Sequence, residues 1–437
     1  MVLASAMAIL FITLLLLDAF GFIRNPYFGL LLFVAVPAAF LVALLLIPIG
    51  ARLDARRRRR SPGAPPADWP VLDLRIARQR SIIAVVVLLT IVNLVLLSTA
   101  SYGAVHYMET AEFCGQVCHT TMEPQFVARQ SGPHARIACV SCHVGAGLGA
   151  AVQAKMSGTR QLWQLATNNV PKPVPSPVES MRPARDTCEQ CHWPEKVHGD
   201  KVKAIREYAE DEKSTETITP MTVHVGGGSA ALGVGTGIHW HMNLDNEIEY
   251  VTTDAKRETI PYVRLRDRSG TVREYTVKGS APEAFAQGPR RRMDCTDCHN
   301  RPAHTFEFTP ERAVNNAIAQ GRIPRELPFI RREALAAVTP EYADRRAALT
   351  AIDSRLREQY RGQPAADSQL VERAIAGTQN VWASNVFPAM NVKWGTYPNH
   401  LGHLDTPGCF RCHDDEHTSK DGKVIRQDCG LCHNEVQ

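Results

Sequence analysis

The chain has 437 residues, a formal net charge of +5 and 45% hydrophobic residues, a length that allows two or three ordinary domains. Its basic balance does not mark a nucleic-acid binder. Nine arginines and three aspartates lie between Arg52 and Arg80, so that segment alone carries +6 and the rest of the chain is close to −1.

In chain order, residues 1–23 are apolar apart from Asp18, Tyr27–Gly50 is apolar throughout, and Ser81–Tyr102 is a third apolar run. Each reaches the ~20 residues a helix needs to cross a bilayer, so three spanning helices are predicted. The first run lacks the basic flank and small-residue cleavage site of a removable signal peptide. Asp18 is costly in lipid and is a candidate for proton or quinol handling, or for facing neighbouring helices near the outer interface. The arginines Arg52, Arg56–Arg60, Arg75, Arg78 and Arg80 mark the connecting loop as cytoplasmic, so everything after the third run is expected on the opposite side. Within that loop, Ser61–Pro70 is a Pro/Gly-rich turn.

Past Cys114 the chain reads as loops and short helices, with Leu148–Asn168 an amphipathic helix. Residues 201–290 change style. Glu247–Thr252, Pro261–Arg266 and Thr271–Val277 alternate apolar and polar residues and predict a small antiparallel β insert. The glycines from Gly226 to Gly237 lack the strand–turn–helix setting of a dinucleotide site and read as a loop. Residues 309–385 are helical again, with Thr309-Pro310-Glu311 a helix start and Pro340–Tyr360 and Asp367–Ala383 amphipathic.

The cysteines carry the chemistry. Cys-x-x-Cys-His occurs at Cys139/Cys142/His143, Cys188/Cys191/His192, Cys295/Cys298/His299, Cys409/Cys412/His413 and Cys429/Cys432/His433. A sixth copy, Cys114/Cys118/His119, is longer by one residue. Together they use all twelve cysteines. In this motif both thiols add to the vinyl groups of a haem and the histidine ligates its iron, so six covalently bound haem c groups are predicted. A zinc site or disulfide scaffold would not place histidine after every second cysteine. Six haems add twelve propionates, which makes the haem-bearing part acidic. Haem attachment occurs in the periplasm, which agrees with the arginine topology. Between Cys114 and His198 the porphyrins themselves must serve as core.

Ten histidines lie outside the motifs. His134, His198, His304, His403 and His417 each lie close to a motif and are the leading candidates for second axial ligands. His239 and His241 come next, with His241 ahead, and His106, His224 and His400 rank as bystanders. Bis-histidine iron suits electron transfer and blocks substrate binding. In the first motif either His119 or Met122 is the candidate ligand, and a thioether would raise the potential.

The run Phe113-Cys114-Gly115 to His119 and Met122-Glu-Pro, followed by Ser131-Gly-Pro-His134 and Cys139-Val-Ser-Cys-His143, resembles the NapC/NirT/NrfH family of membrane-anchored quinol dehydrogenases. Lys155-Met-Ser-Gly-Thr-Arg-Gln161 looks like that family's lysine helix beside the first haem. Cys188 to His198 and Cys295 to His304 also match family motifs. The added N-terminal hairpin and C-terminal haems are similar to the larger inner-membrane cytochromes of metal-reducing bacteria. The resemblance implies a menaquinol or ubiquinol site with Lys155 on a quinol oxygen. Gln161 stands near where the family commonly has an acidic residue, so a proton acceptor there is missing. It also implies electron delivery to periplasmic cytochromes or a reductase.

The expected fold class is therefore mainly α with little regular structure: three transmembrane helices and a periplasmic multihaem c domain containing a small antiparallel β insert. Its expected parts are a hairpin (1–51), a cytoplasmic loop (52–80), a third span (81–108), a haem domain (109–200), the insert (201–290) and a second haem domain (291–437). The alternatives are a passive electron-transfer anchor and a nitrite or hydroxylamine reductase. The latter is disfavoured because no Cys-x-x-Cys-Lys motif is present. Quinone type, acceptor and self-association stay open.

Overall fold

The computed structural model of the chain describes every residue except 1, 20–30, 60–73, 118, 146, 178–181, 194, 229–234, 279–284, 286–289, 364–366 and 436–437. It forms two compact units, Met1–His119 and Thr120–Gln437.

The first unit is helical. α1 (Val2–Ala19) packs on α2 (Val36–Arg59), which a π-helical turn at Leu31–Ala35 leads into. Phe11, Leu32, Val36 and Ala100 are buried together, the last contributed by α3 (Ala77–Met108). At 1.5 Å per residue the 32 residues of α3 reach about 48 Å, well beyond the ~30 Å of a bilayer core. The most apolar stretch of α3 is wholly unburied, as a lipid-facing helix requires. Among the described residues α3 alone meets the length and composition of a span. The apolar parts of α1 and α2, Ala6–Leu17 and Val36–Gly50, are shorter. In α2 the reason is plain: the helix runs on from its apolar half into Arg52–Arg59. Asp18 is the penultimate residue of α1.

The second unit is more regular than expected, combining helices with two antiparallel sheets. α4 (His119–Gln130) and α5 (Leu148–Ala166) come first. Strands β1 (Lys201–Tyr208) and β2 (Glu216–Val223) pair in register Lys201↔Val223, and β8 (His433–Glu435) adds to β2. The second sheet has the order β6-β3-β4-β5-β7, with β3 (Glu247–Val251), β4 (Tyr262–Arg266), β5 (Val272–Thr276), β6 (Arg291–Arg292) and β7 (Thr418–Ser419). The alternation read from the sequence marks β3, β4 and β5. The C-terminal segment supplies β7 and β8, so residues 201–290 are not self-contained.

Four helices follow: α6 (Pro310–Ala319), α7 (Ile330–Val338), α8 (Arg345–Tyr360) and α9 (Ser368–Asn385). Their starts are chemically specified. Thr309, Asp344 and Asp367 cap α6, α8 and α9 by accepting from backbone N–H groups, and Pro310 sits in the first turn, where no N–H is needed. Their apolar faces close on Trp382, Ile352, Leu356, Ile323 and Leu327, all fully buried, and Tyr208 of β1 joins the same cluster.

Candidate haem-binding centres

The described attachment motifs are built on tight turns. Cys139–His143, Ala184–Cys188 and Cys295–Cys298 are one-turn helices, and Gly408–Arg411 and Cys429–Leu431 are 3-10 turns. A separation of three residues puts the two thiols of a pair on one side of such a turn. The backbone N–H of His192, His299 and His413 donates to the carbonyl of the first cysteine at 2.8, 2.8 and 3.1 Å. Cys114 lies in the π-helical turn Phe113–Val117, Cys118 lies outside the described residues, and His119 opens α4 with Met122 one turn on.

The motifs read as equivalent in the sequence, but the structure separates their thiols. Cys191 and Cys429 are exposed, whereas the other described cysteines are partly buried, and none of the described cysteines forms a disulfide. Cys191 is the clearest departure, because the helix carrying its motif ends at Cys188 and Cys191 falls in the turn beyond it. Its N–H still donates to the Cys188 carbonyl at 3.1 Å, so the turn is closed while the side chain faces solvent. The protein thus shelters Cys188 and leaves Cys191 to be covered only by whatever is attached there.

Long-range folding brings motif histidines to histidines elsewhere. The ring centres of His143 and His304 are 6.1 Å apart, His192 and His134 6.1 Å, His299 and His239 6.3 Å, His413 and His241 5.9 Å, and His433 and His403 6.1 Å. A metal–imidazole bond is about 2 Å, and a ring nitrogen lies about 1 Å from its ring centre. Two imidazoles on opposite sides of one iron therefore sit with centres about 6 Å apart. All five pairs have that spacing, so the residues fit a bis-histidine haem.

The tautomers agree. Nδ1 of His134, His304, His241 and His413 contacts the carbonyls of Pro302, Gln125, Ile238 and Arg426 at 2.7–2.9 Å. Donating that proton to a carbonyl leaves Nε2 as the free ligand. Burial pushes His143, His239, His241 and His299 below the usual imidazole range and His304 down to about 4, holding them in the neutral form a metal requires. Among the described residues no three His, Cys, Asp or Glu converge as a protein-only metal cage.

Not every expected ligand is placed this way. Both ring nitrogens of His417 are engaged, Nδ1 by Asp414 at 2.9 Å and Nε2 by the Ile260 carbonyl at 2.7 Å, which leaves none for iron. Asp414 alone would have been compatible with ligation. The contact that removes His417 comes from a residue 157 positions away and has no local signal. His198 meets His239 at 6.0 Å rather than a motif histidine, and His239, ranked behind it, reaches His299. His224 is held between Asp200 and Asn434. Lys155 and Gln161 are both exposed on α5. They stand six residues apart, about 9 Å along the axis and about 120° around it. Gln161 contacts Ser157 at 3.5 Å. The same helix exposes Val152, Met156, Leu162, Trp163 and Leu165.

The attachment turns adjoin in chain order. Cys188 and Cys295 lie side by side, and their mutual influence holds Cys188 above and Cys295 below the usual thiol range, with Cys142 close enough to Cys188 to raise it further. Cys409 lies near both Cys298 and Cys432. One carboxylate organises the middle of this series. Asp297, 2% exposed, accepts from the Tyr250 hydroxyl at 2.7 Å, Arg257 at 3.1 Å and Arg291 at 2.8 Å, and caps its own turn through the Asp294 N–H. Arg411, between Cys409 and Cys412, donates to the carbonyls of Asp297, Arg257 and Gly408 at 2.6, 2.8 and 2.7 Å. The β insert thus fixes the fourth turn, and Arg411 fixes the fifth against it.

Repeated thiol pairs, five of them followed by a histidine that faces a second imidazole, define a multihaem c-type cytochrome, here on a chain with a membrane-anchoring helix. Residues 76–174 match the N-terminal region of the NapC/NirT cytochrome c family. The chain is 38% identical to the cytochrome c-type protein ImcH of Geobacter sulfurreducens, over an alignment taking in all of this chain and 86% of the relative. It belongs to the NapC/NirT cytochrome c family. No solved structure matches it.

Proposed function

We propose that the chain is a six-haem quinol dehydrogenase of the inner membrane, passing electrons from menaquinol or ubiquinol to periplasmic acceptors. The observation that carries this reading is the set of five imidazole pairs with ring centres 5.9–6.3 Å apart. When bound, each haem supplies a one-electron site. At five motifs the paired imidazoles would fill both open positions of the iron, which suits transfer and disfavours a nitrite or hydroxylamine reductase with an open iron there.

In this reading His143/His304, His192/His134, His299/His239, His413/His241 and His433/His403 would each hold the iron of one haem. His119 or Met122 serves the first motif, and the adjoining turns set a relay in chain order from the second motif to the sixth. The three apolar runs span the bilayer with the arginine loop in the cytoplasm, which leaves every motif in the periplasm. Lys155 hydrogen-bonds a quinol oxygen, and the exposed apolar side chains of α5 rest at the lipid surface where quinol arrives.

Mass spectrometry of the purified full-length chain is expected to find six covalent haems, and electron paramagnetic resonance five bis-imidazole low-spin irons. In membranes, Lys155→Ala is expected to slow menaquinol-driven haem reduction about tenfold, the equivalent of one hydrogen bond of ~1.4 kcal/mol. An unchanged rate would leave the chain a passive electron-transfer anchor.

A further inference from the structure

A small cavity beside the fourth attachment turn has Lys256, Arg257, Arg301 and His400 in its wall, together with Thr296 and Asn300. About 20 Å³ of it is open to the centre of a water-sized group, just above the ~10–15 Å³ that one water needs. A group the size of a carboxylate head fits such a space.

The polar groups around it are left incomplete by the protein. His400 is 3% exposed and neither ring nitrogen finds a hydrogen-bond partner. The Asp297 carbonyl, which it faces, already accepts from Arg411 at 2.6 Å. Arg301 donates one Nη to Ser176 Oγ at 2.7 Å and lies over the Tyr397 ring at 4.4 Å, but its buried Nε has no partner. Among these cations the structure pairs Arg257 with a carboxylate, that of Asp297. Burial and the neighbouring arginines push His400 down to about 4, which keeps it a neutral N–H donor. Buried donors with nothing to donate to and excess positive charge call for an anion.

We propose that this cavity is an anion seat for the propionate carboxylate of a bound haem, held by Arg301 and His400. The inference rests on the haem reading above. Arg301 is well placed for the role. It follows His299 by two residues, Pro302 holds the His134 ring at 2.9 Å, and His304 comes next, so one short segment serves three proposed irons. A free anion such as phosphate offers the same chemistry, but every bound haem brings two carboxylates with it.

The test is redox potentiometry of the full-length holoprotein, with haem content measured alongside. Arg301→Gln and His400→Phe are expected to keep wild-type haem content. In Arg301→Gln one midpoint moves to lower potential, because removing a nearby cation disfavours the added electron. Arg301→Lys is expected to retain most of the wild-type value, and Lys256→Gln, an exposed position, to give a smaller shift in the same direction should Arg301→Gln fail to fold. Unchanged midpoints in Arg301→Gln, or in Lys256→Gln where only that variant folds, would overturn the proposal. So would a shift that appears only when phosphate or chloride is added, which assigns the cavity to a free anion. Wild-type protein without covalent haem would instead refute the cytochrome reading itself.

Discussion

Between Pro310 and Asn385 four helices bury Trp382, Ile352, Leu356, Ile330 and Val338 in one continuous apolar cluster. Between Thr120 and Gly199, a stretch of similar length, the described residues apart from Pro124 bury only Ala128 and Ala184. Both regions are ordered by the same chain, yet only the first has a large core made of its own amino acids, the second adding Ala128 and three partly buried valines to a small cluster around Phe306 and Tyr397. Apolar burial contributes about 25 cal/mol per Å², and a stretch that buries two alanines cannot offset its conformational entropy with that alone. In the proposed reading the porphyrins supply the missing apolar mass, clamped between imidazole pairs. One region is thus specified by side-chain packing and the other by ligation and covalent attachment.

The sharpest way to break this contrast is to remove a haem. Cys295→Ser/Cys298→Ser is expected to lower the haem count by one and to make the segment between His134 and His304 sensitive to protease. The block from Pro310 to Asn385 is expected to stay resistant. Limited proteolysis with mass spectrometry of the fragments reads both halves at once. Equal resistance everywhere would show that the attachment loops have a core of their own.

The unequal legibility of the sequence has the same origin. Capping residues and amphipathic spacing are local, so Thr309, Asp344 and Asp367 mark three helix starts by residue type alone. Strands β3, β4 and β5 betray themselves by alternation. β1 and β2 do not: the pattern along Lys201–Tyr208 is exposed at nearly every position, so nothing in it alternates toward a core. The Cys-x-x-Cys-His turns are fully local and readable, whereas the shelter each thiol finds is not, as exposed Cys191 beside half-buried Cys188 illustrates. The second imidazoles are equally hidden. His304 is 161 residues from His143, and proximity in sequence to a motif favoured His417 over His239. Tertiary contacts reversed that ranking, by occupying His417 with Ile260 and carrying His239 to His299. Asp297 reads as an ordinary spacer between two cysteines, and two of its side-chain donors, Tyr250 and Arg257, arrive from the β insert and a third, Arg291, from β6.

Two buried residues, Trp382 and Asp297, differ in what they hold together. Trp382→Ala in α9 leaves a large cavity in the helical block and is expected to cost ~3–5 kcal/mol without altering the haem spectra. Asp297→Ala strips the counter-charge from Arg257, leaves Arg291 with Asp294 alone and leaves the Tyr250 hydroxyl unpaired, also at ~3–5 kcal/mol, but with perturbed spectra. Chemical denaturation followed separately by tryptophan fluorescence and by haem absorbance distinguishes the two. Identical spectroscopic responses would mean that the regions unfold as one cooperative body.

The smallest effect is expected at the seam between them. Glu307 precedes α6, its side chain accepts from Asn316 at 2.9 Å, and its backbone N–H donates to Asn385 of α9 at 2.8 Å. Burial is the leading cause that raises its carboxyl above the usual range. A carboxyl raised on folding contributes its stability in full below the unfolded value. That contribution is lost as pH rises through the folded one, because the buried group must then ionise. Wild-type stability is therefore expected to fall as pH climbs upward from the ordinary glutamate range. Glu307→Gln keeps an acceptor for Asn316 and removes the ionisation, so its stability is expected to stay flat over that interval and to match the wild type at its acid end. Thermal unfolding across that interval checks the sign. A variant that parallels the wild type at every pH would place the Glu307 carboxylate in contact with water rather than in the seam.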